Sequence, residues 1–192
     1  PKNVQIESKD VKYHIKDNFE ITIRKNIPAQ SGLGGGSADA AAVIQILNQM
    51  YALKMSDKEK IAIARQIDED TPFCLFNKPS LVEGVGDILT PLSYHAEPLY
   101  YLLVKPPKGV STKRFMRKYH SFQRNNEHLF QMAEAFENGQ YKVMTSYLHN
   151  DFMDLVREKN KYIQKIEKDF EKLGLNAYTM SGSGSSVFAG SK

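Results

Sequence analysis

Phe19, Ile21 and Ile23 alternate with Glu20, Thr22 and Arg24. This period of two predicts a strand with one buried face, and Lys16-Asp17-Asn18 ahead of it is a turn signal. The preceding segment, Val4–Ile15, fits a strand or a helix equally well. From Ser37 the period changes: Val43, Ile44, Leu47 and Met50/Tyr51 recur at helical spacing, with Ser37 placed as N-cap and Asp39 in the first turn. Ser56-Asp57-Lys58-Glu59 reads as a capping box that opens a second helix through Ile61, Ala64 and Ile67. Pro72 ends that helical reading by Thr71, because the residue before a proline disfavours helix. Asp70 is therefore expected at a helix-to-loop junction, and a short strand or turn follows around Leu81–Leu92.

Pro91 through Pro98 is the best place for a domain boundary, which divides the chain into residues 1–95 and 96–192. The apolar run Leu99–Val104 predicts a strand, stopped by Pro106-Pro107. Helical patterns cover Thr112–Tyr119, His128–Asn138, Tyr141–Leu148, Phe152–Glu158 and Asn160–Leu173, with Gly174 as the terminator of the last. Ala177–Met180 and Val187–Ala189 read as strands on either side of a Ser-Gly-Ser-Gly turn. The order of elements predicts an α+β class built as two lobes.

The composition narrows the function. At 41% hydrophobic and 25% charged residues the 192-residue chain has the balance of a soluble globular protein with a real core. It has no apolar run near the ~20 residues that span a bilayer and no secretory pattern at its start. Cys74 is the single cysteine, so no internal disulfide forms and a cytoplasmic location is expected. The five histidines (14, 95, 120, 128 and 149) are scattered, so no protein metal site is expected. A net charge of +4 suits an anionic small molecule and points to neither nucleic acid nor a membrane. The densest basic run is Lys105, Lys108, Lys113, Arg114, Arg117 and Lys118. It reads either as a diphosphate contact or as a solvated helix face.

The sharpest chemical signal is Ile27-Pro28-Ala29-Gln30-Ser31-Gly32-Leu33-Gly34-Gly35-Gly36-Ser37-Ala38, which puts four glycines in five positions between a strand pattern and an Ala-rich helix. Glycine lets backbone N–H groups approach a phosphate closely, and a helix that starts there adds unpaired donors and the positive end of its dipole. The segment thus reads as a di- or triphosphate cradle. It lacks the Gly-Lys-Ser/Thr ending of a Walker A loop and the acidic residue of a dinucleotide fold.

On this segment, on Asp70-Thr71-Pro72-Phe73-Cys74 and on Met180-Ser181-Gly182-Ser183-Gly184-Ser185-Ser186-Val187-Phe188, the chain resembles the GHMP small-molecule kinases. Weaker echoes are Glu83-Gly84-Val85-Gly86-Asp87, Lys108-Gly109-Val110-Ser111-Thr112 and Asn150-Asp151-Phe152. The resemblance implies a two-lobed GHMP kinase-like fold and ATP with Mg²⁺ as cofactors. Pro28, Gly32, Leu33, Gly34, Gly35, Gly36, Ser37 and Ala38 would hold the nucleotide. Ser37 would contact a phosphate oxygen or lie near the magnesium ion, and Asp70 would be the base that activates the substrate hydroxyl. Ser111, Phe115, Ser181, Gly182, Ser183 and Gly184 would meet the substrate, with Thr112 beside them and the Phe115 ring stacking on a pyrimidine. The triple glycine points to the branch that phosphorylates the 2-hydroxyl of 4-diphosphocytidyl-2-C-methyl-D-erythritol, in non-mevalonate isoprenoid biosynthesis. Another GHMP kinase, acting on homoserine or mevalonate, and a catalytically silent nucleotide-binding protein are the alternatives.

Two departures stand out. The family's first-strand lysine and its Tyr-His pair have no counterpart, and the resemblance stops just after the third glycine motif. The chain therefore reads as a fragment without kinase activity of its own. The family also usually has glycine and then a small residue before its aspartate, where this chain has Asp68-Glu69. Three adjacent acids repel one another and favour protonation of one of them, so replacing Asp68 by glycine is expected to preserve or raise turnover.

Overall fold

The computed structural model describes residues 5–8, 11–15, 17–94, 97–109 and 128–191. By contact the chain divides into two compact units. One is formed by Pro1–Asn26 and Gly34–Pro91, the other by Ile27–Leu33 and Leu92–Lys192. The glycine segment is thus shared, with Ile27–Leu33 packing in the second unit and Gly34 onward in the first.

In the first unit the ambiguous N-terminal segment resolves into a hairpin, β1 (Gln5–Ser8) antiparallel to β2 (Val11–His14). Helix α1 (Gly35–Met50) follows, then α2 (Asp57–Ala64), α3 (Thr71–Phe76) and the hairpin of β3 (Ser80–Glu83) and β4 (Ile88–Pro91). The buried residues of α1 are Ser37, Ala41, Ile44 and Leu47, a single stripe at steps of three and four. Ile44 and Leu47 join Ile15, Met55, Ile63 and Ala64 in one core, each large apolar side chain contributing about 1.5–3 kcal/mol. The expected capping box of α2 is present: Glu59 N–H donates to Ser56 Oγ, and Ser56 N–H donates back to the Glu59 carboxylate at 2.8 Å.

Two expectations fail here. Residues 17–26 form no strand, and Ile21 and Ile23 are 56% and 51% exposed. Alternation supplies a strand's period but not a partner for its backbone, and no described strand pairs with this segment. Only Phe19 reaches the core, edge-on to Tyr51. Pro72, for its part, begins a helix. It lies in the first turn of α3, where its missing N–H has no intrahelical bond to lose.

Among the described residues, the second unit holds β5 (Tyr100–Val104), four helices and two further strands. The helices are α4 (Leu129–Glu137), α5 (Tyr141–Ser146), α6 (Met153–Lys159) and α7 (Lys161–Lys172). Strands β6 (Tyr178–Met180) and β7 (Val187–Ser191) join β5 in an antiparallel sheet of order β5-β7-β6. Val187 and Ala189 of the central strand and Met180 of β6 pack on Met153, Val156, Ile163 and Phe170. Glu167 is buried on the inner side of α7 and is held by Arg157, whose Nη2–H donates to it at 2.7 Å. Gly174 takes a positive φ of 73° just after α7, the left-handed turn expected of a C-terminal glycine. The helix expected over Thr112–Tyr119 lies outside the described residues.

Candidate active site

The first part of the site is the corner where α1 and α3 begin. Helix α1 starts at Gly35, three residues earlier than expected, with Gly34 left-handed at φ 64° as its N-cap. Ser37 is therefore not the cap. It sits inside the first turn, buried, and its hydroxyl donates to Asp68 Oδ2 at 2.9 Å. Asp39 is paired with Lys25 instead of serving the first turn. The first intrahelical bond runs from Ala38 N–H to the Gly34 carbonyl at 2.8 Å, so the amides of Gly35, Gly36 and Ser37 precede the helical ladder. Gly36 is exposed, and a Cβ built there meets nothing within 4 Å. Among the described residues no neighbour demands glycine at that position. The open space at these amides leaves room for a phosphate, so the corner fits the group that the segment suggests.

Asp70 is the N-cap residue of α3, at a loop-to-helix junction and not the reverse. Its neighbour Asp68 does the capping. Asp68 Oδ1 accepts from Asp70 N–H at 3.0 Å, Thr71 N–H at 2.7 Å and Thr71 Oγ1 at 2.7 Å, while Oδ2 accepts from Ser37. Burial works against the Asp68 charge, but these hydrogen bonds win and hold its carboxyl below the usual carboxylate range. Asp70 has the opposite balance. It lies on the surface of the unit, yet partial burial and then the charges of Asp68 and Glu69 push its carboxyl up. The like-charge effect expected from the three acids thus falls on Asp70. Asp68, expected only to repel, is instead bonded into the fold, and glycine there would remove four hydrogen bonds.

The rest of the corner seats this segment. Gly86, at φ 83° in the β3–β4 turn, lies so close to the Glu69 carbonyl that any Cβ would overlap it. Next to it Asp87 pairs with Arg65 at 2.7 Å. Cys74, one turn into α3, has its Sγ facing Gly34, and burial followed by the charges of Asp70 and Asp68 pushes the thiol up. It is an inert packing residue.

The second part lies wholly in the second unit. Ser181 Oγ donates to the Gly32 carbonyl at 2.8 Å, and Ser186 N–H donates to the Ser31 carbonyl at 2.9 Å. Gly32, at φ 74°, has no room for a Cβ, which would overlap the Ser181 carbonyl oxygen. Gly182 (φ 52°) and Gly184 (φ 85°) are left-handed as well. Asn150 Nδ2 donates to the Met180 carbonyl at 2.8 Å and the Gly182 carbonyl at 2.9 Å, clamping the turn from behind. Ser185 Oγ donates to the Lys108 carbonyl at 3.1 Å. Gly182 is the exposed residue of this turn, whereas Ser185 and Ser186 are fully buried.

The structure thus brings Gly34, Gly35, Gly36 and Ser37 together with Asp70 in one unit, and Gly32 together with Ser181–Gly184 in the other. Pro28 is exposed in the linking loop, Leu33 is half-buried beside Gly34, and Ala38 is exposed on α1. Ser111, Thr112 and Phe115 lie outside the described residues. Sequence reasoning missed the anchoring by Asp68 and Thr71. Its signal was there to be read: an Asp three residues before Thr71, with a proline in the next position, is a helix start.

Residues 4–78 match the model of the GHMP kinases N terminal domain. Over those residues the chain carries the N-terminal domain of the GHMP kinases. It is 36% identical over 172 residues to a 4-diphosphocytidyl-2-C-methyl-D-erythritol kinase of Ligilactobacillus salivarius, covering 90% of this chain and 59% of that protein. It is 35% identical over 179 residues to the kinase of the same name from Limosilactobacillus fermentum, covering 93% and 62%. The chain therefore spans about three fifths of the length of the curated relatives it matches. Among solved structures it resembles a 4-(cytidine 5'-diphospho)-2C-methyl-D-erythritol kinase with a TM-score of 0.62 at 28% identity, over 86% of this chain and 59% of that one. A homoserine kinase from Cytophaga hutchinsonii shares the fold, with a TM-score of 0.72 at 21% identity over 87% and 58%.

Proposed function

We propose that the protein transfers a phosphoryl group from ATP to the 2-hydroxyl of 4-diphosphocytidyl-2-C-methyl-D-erythritol, a step of isoprenoid precursor synthesis in the cytoplasm. The observation that carries this reading is identity above 30% to kinases of that name along nine tenths of the chain. The geometry of the first unit supports it. Phosphoryl transfer needs held phosphates and a positioned hydroxyl more than it needs covalent chemistry from the protein. The amides of Gly35, Gly36 and Ser37 would hold phosphate oxygens at the open start of α1, with Gly34 and Ala38 framing them. Pro28, Gly32 and Leu33 would set the path of the chain into that turn.

ATP bound there would supply the phosphoryl group, and Mg²⁺ would neutralise its charge. Mg²⁺ would draw most of its ligands from phosphates and water, its usual preference; the Ser37 hydroxyl gives its hydrogen to Asp68, so its lone pairs would be what it offers to the ion. Asp70 would accept the proton of the substrate hydroxyl. Its carboxyl, pushed up by burial and two neighbouring acids, is a better proton acceptor than an ordinary aspartate. Ser181, Gly182, Ser183, Gly184, Ser111 and Phe115 are kept as substrate contacts on the family resemblance alone.

The test is direct. The purified full-length protein, given Mg-ATP and the cytidine-diphosphate-linked alcohol, should release ADP and yield a product heavier by one phosphoryl group. Transfer to homoserine or mevalonate alone would identify a different GHMP kinase. ATP binding with no transfer to any of the three alcohols would mark a silent homologue.

A further inference from the structure

We propose that Asp68 is a positioning residue, which ties the first turn of α1 to the first turn of α3 and thereby sets where Asp70 stands relative to the phosphate-holding amides. The proposal rests on the kinase reading for the role of Asp70, and on geometry for everything else.

Both oxygens of the Asp68 carboxylate are used, by three residues on two elements. Oδ2 takes the Ser37 hydroxyl, one residue after Gly36. Oδ1 takes the N–H of Asp70 itself and both the N–H and hydroxyl of Thr71. A solvated surface acid would leave its oxygens to water and gain nothing from being held. Here the acceptors of one side chain define the spacing between two helix starts, and the two helices pack on each other within one unit. The residues on either side of the link are the candidate phosphate cradle and the candidate base. Glycine, which the family resemblance places at this position, offers no acceptor and could make none of these bonds.

The same carboxylate acts on Asp70 through its charge. The charged groups acting on Asp70 are Asp68 and Glu69, both negative, with the protonated Cys74 thiol on the next turn. No cation is among the groups that shift Asp70; Arg65 pairs with Asp87 and Lys25 with Asp39. Removing the Asp68 charge must therefore lower the proton affinity of Asp70, while removing its oxygens must loosen Asp70's backbone.

Two variants of the full-length protein separate these effects. Asp68→Asn keeps an acceptor for the Asp70 and Thr71 amides, whereas Asp68→Ala keeps none. Carboxyl NMR titration should find Asp70 ionising at lower pH in Asp68→Asn than in the wild type, and the acid limb of its turnover profile should move the same way. Its turnover should stay within roughly tenfold of wild type. Asp68→Ala should lose roughly 10²-fold, the scale of an ångström-sized misplacement, and the loss should fall on kcat more than on KM for ATP. An unchanged Asp70 titration in Asp68→Asn would overturn the proposal, as would normal turnover per folded molecule in Asp68→Ala. Should Asp68→Ala not fold, Asp68→Asn decides alone. A wild-type protein that titrates as expected but phosphorylates nothing would defeat the kinase reading and leave the Asp68–Asp70 link standing.

Discussion

Glycine does opposite work in the two units. At the start of α1, Gly36 is exposed and a side chain there would touch nothing in the protein. In the second unit, Gly32 sits against the Ser181 carbonyl with no space for a methyl group, and Gly182 and Gly184 hold left-handed turns clamped by Asn150. The first region is open and contains an acid whose charge is poorly accommodated, Asp70. The second is closed, with the carbonyls of Ser31, Gly32, Met180 and Gly182 all accepting hydrogen bonds from other parts of the same unit. Sites that must bind something stay unfinished, and such incompleteness costs stability. A glycine motif in a sequence says nothing about which of the two it is, because both uses need the same residue for different reasons.

The comparison breaks most visibly at Asp70. In the full-length protein, Asp70→Asn removes the proposed base without changing shape, and general-base assistance is typically worth roughly 10²–10⁴-fold in turnover. Turnover should fall by that factor while ATP affinity, read by calorimetry, holds. The variant should be at least as stable as the wild type at neutral pH, since a crowded negative charge is gone. A stable protein with near-normal turnover would show that the base lies elsewhere.

The closed region should respond in the reverse sense. Gly32→Ala forces a Cβ into a left-handed backbone and into the Ser181 carbonyl. The conformational penalty of about 1–2 kcal/mol adds to about 1–3 kcal/mol of overpacking. Denaturant unfolding should register a loss of about 2–5 kcal/mol. Retained stability would mean that the turn yields easily, and the contrast with Gly36 would collapse.

Gly36→Ala sharpens the contrast with the smallest possible change. Alanine favours helix over glycine by up to about 1 kcal/mol, less in a first turn, and nothing obstructs the methyl group. The unfolding midpoint should rise slightly while ATP affinity drops several-fold. A tighter fold with unchanged affinity would remove Gly36 from the phosphate site.

Much of this was legible beforehand because it depended on local chemistry. The capping box at Ser56–Glu59, the helical recurrence of Ile44 and Leu47, the Gly174 terminator and the strands around the Ser-Gly-Ser-Gly turn all follow from near neighbours in sequence. What was missed depended on partners far along the chain. The alternation of Phe19–Arg24 gives no strand where no described strand pairs with it. Ser37 is not a cap because Asp68, 31 residues away, takes its hydroxyl. Pro72 was read as a stop because its effect on the preceding residue was weighed above its fitness for a first turn. The Asp68-Glu69 pair read as a defect because charge is visible in a sequence while four hydrogen-bond donors converging on one carboxylate are not.

The smallest effect, and the one that isolates the two acids best, is the pH dependence of stability. Asp70 has its folded-state pKa raised, so the native state binds its proton more tightly than the unfolded chain does. Stability then falls as pH rises from the ordinary aspartate value to the raised one, and the deficit persists above that window. Asp68 is the mirror case. Its folded-state pKa is lowered, so it contributes stability above the ordinary aspartate value, and that contribution is lost as pH falls through the lowered one. Both residues keep exposed surface, so solvent screens each contribution to well under about 1 kcal/mol. Subtracting the unfolding curves of variant and wild type across pH 2–7 should nevertheless give opposite signs. Asp70→Asn should gain on the wild type as pH rises, and Asp68→Asn should lose. Two difference curves of the same sign would mean that the acids share one environment, and the division of labour between anchor and base would not hold.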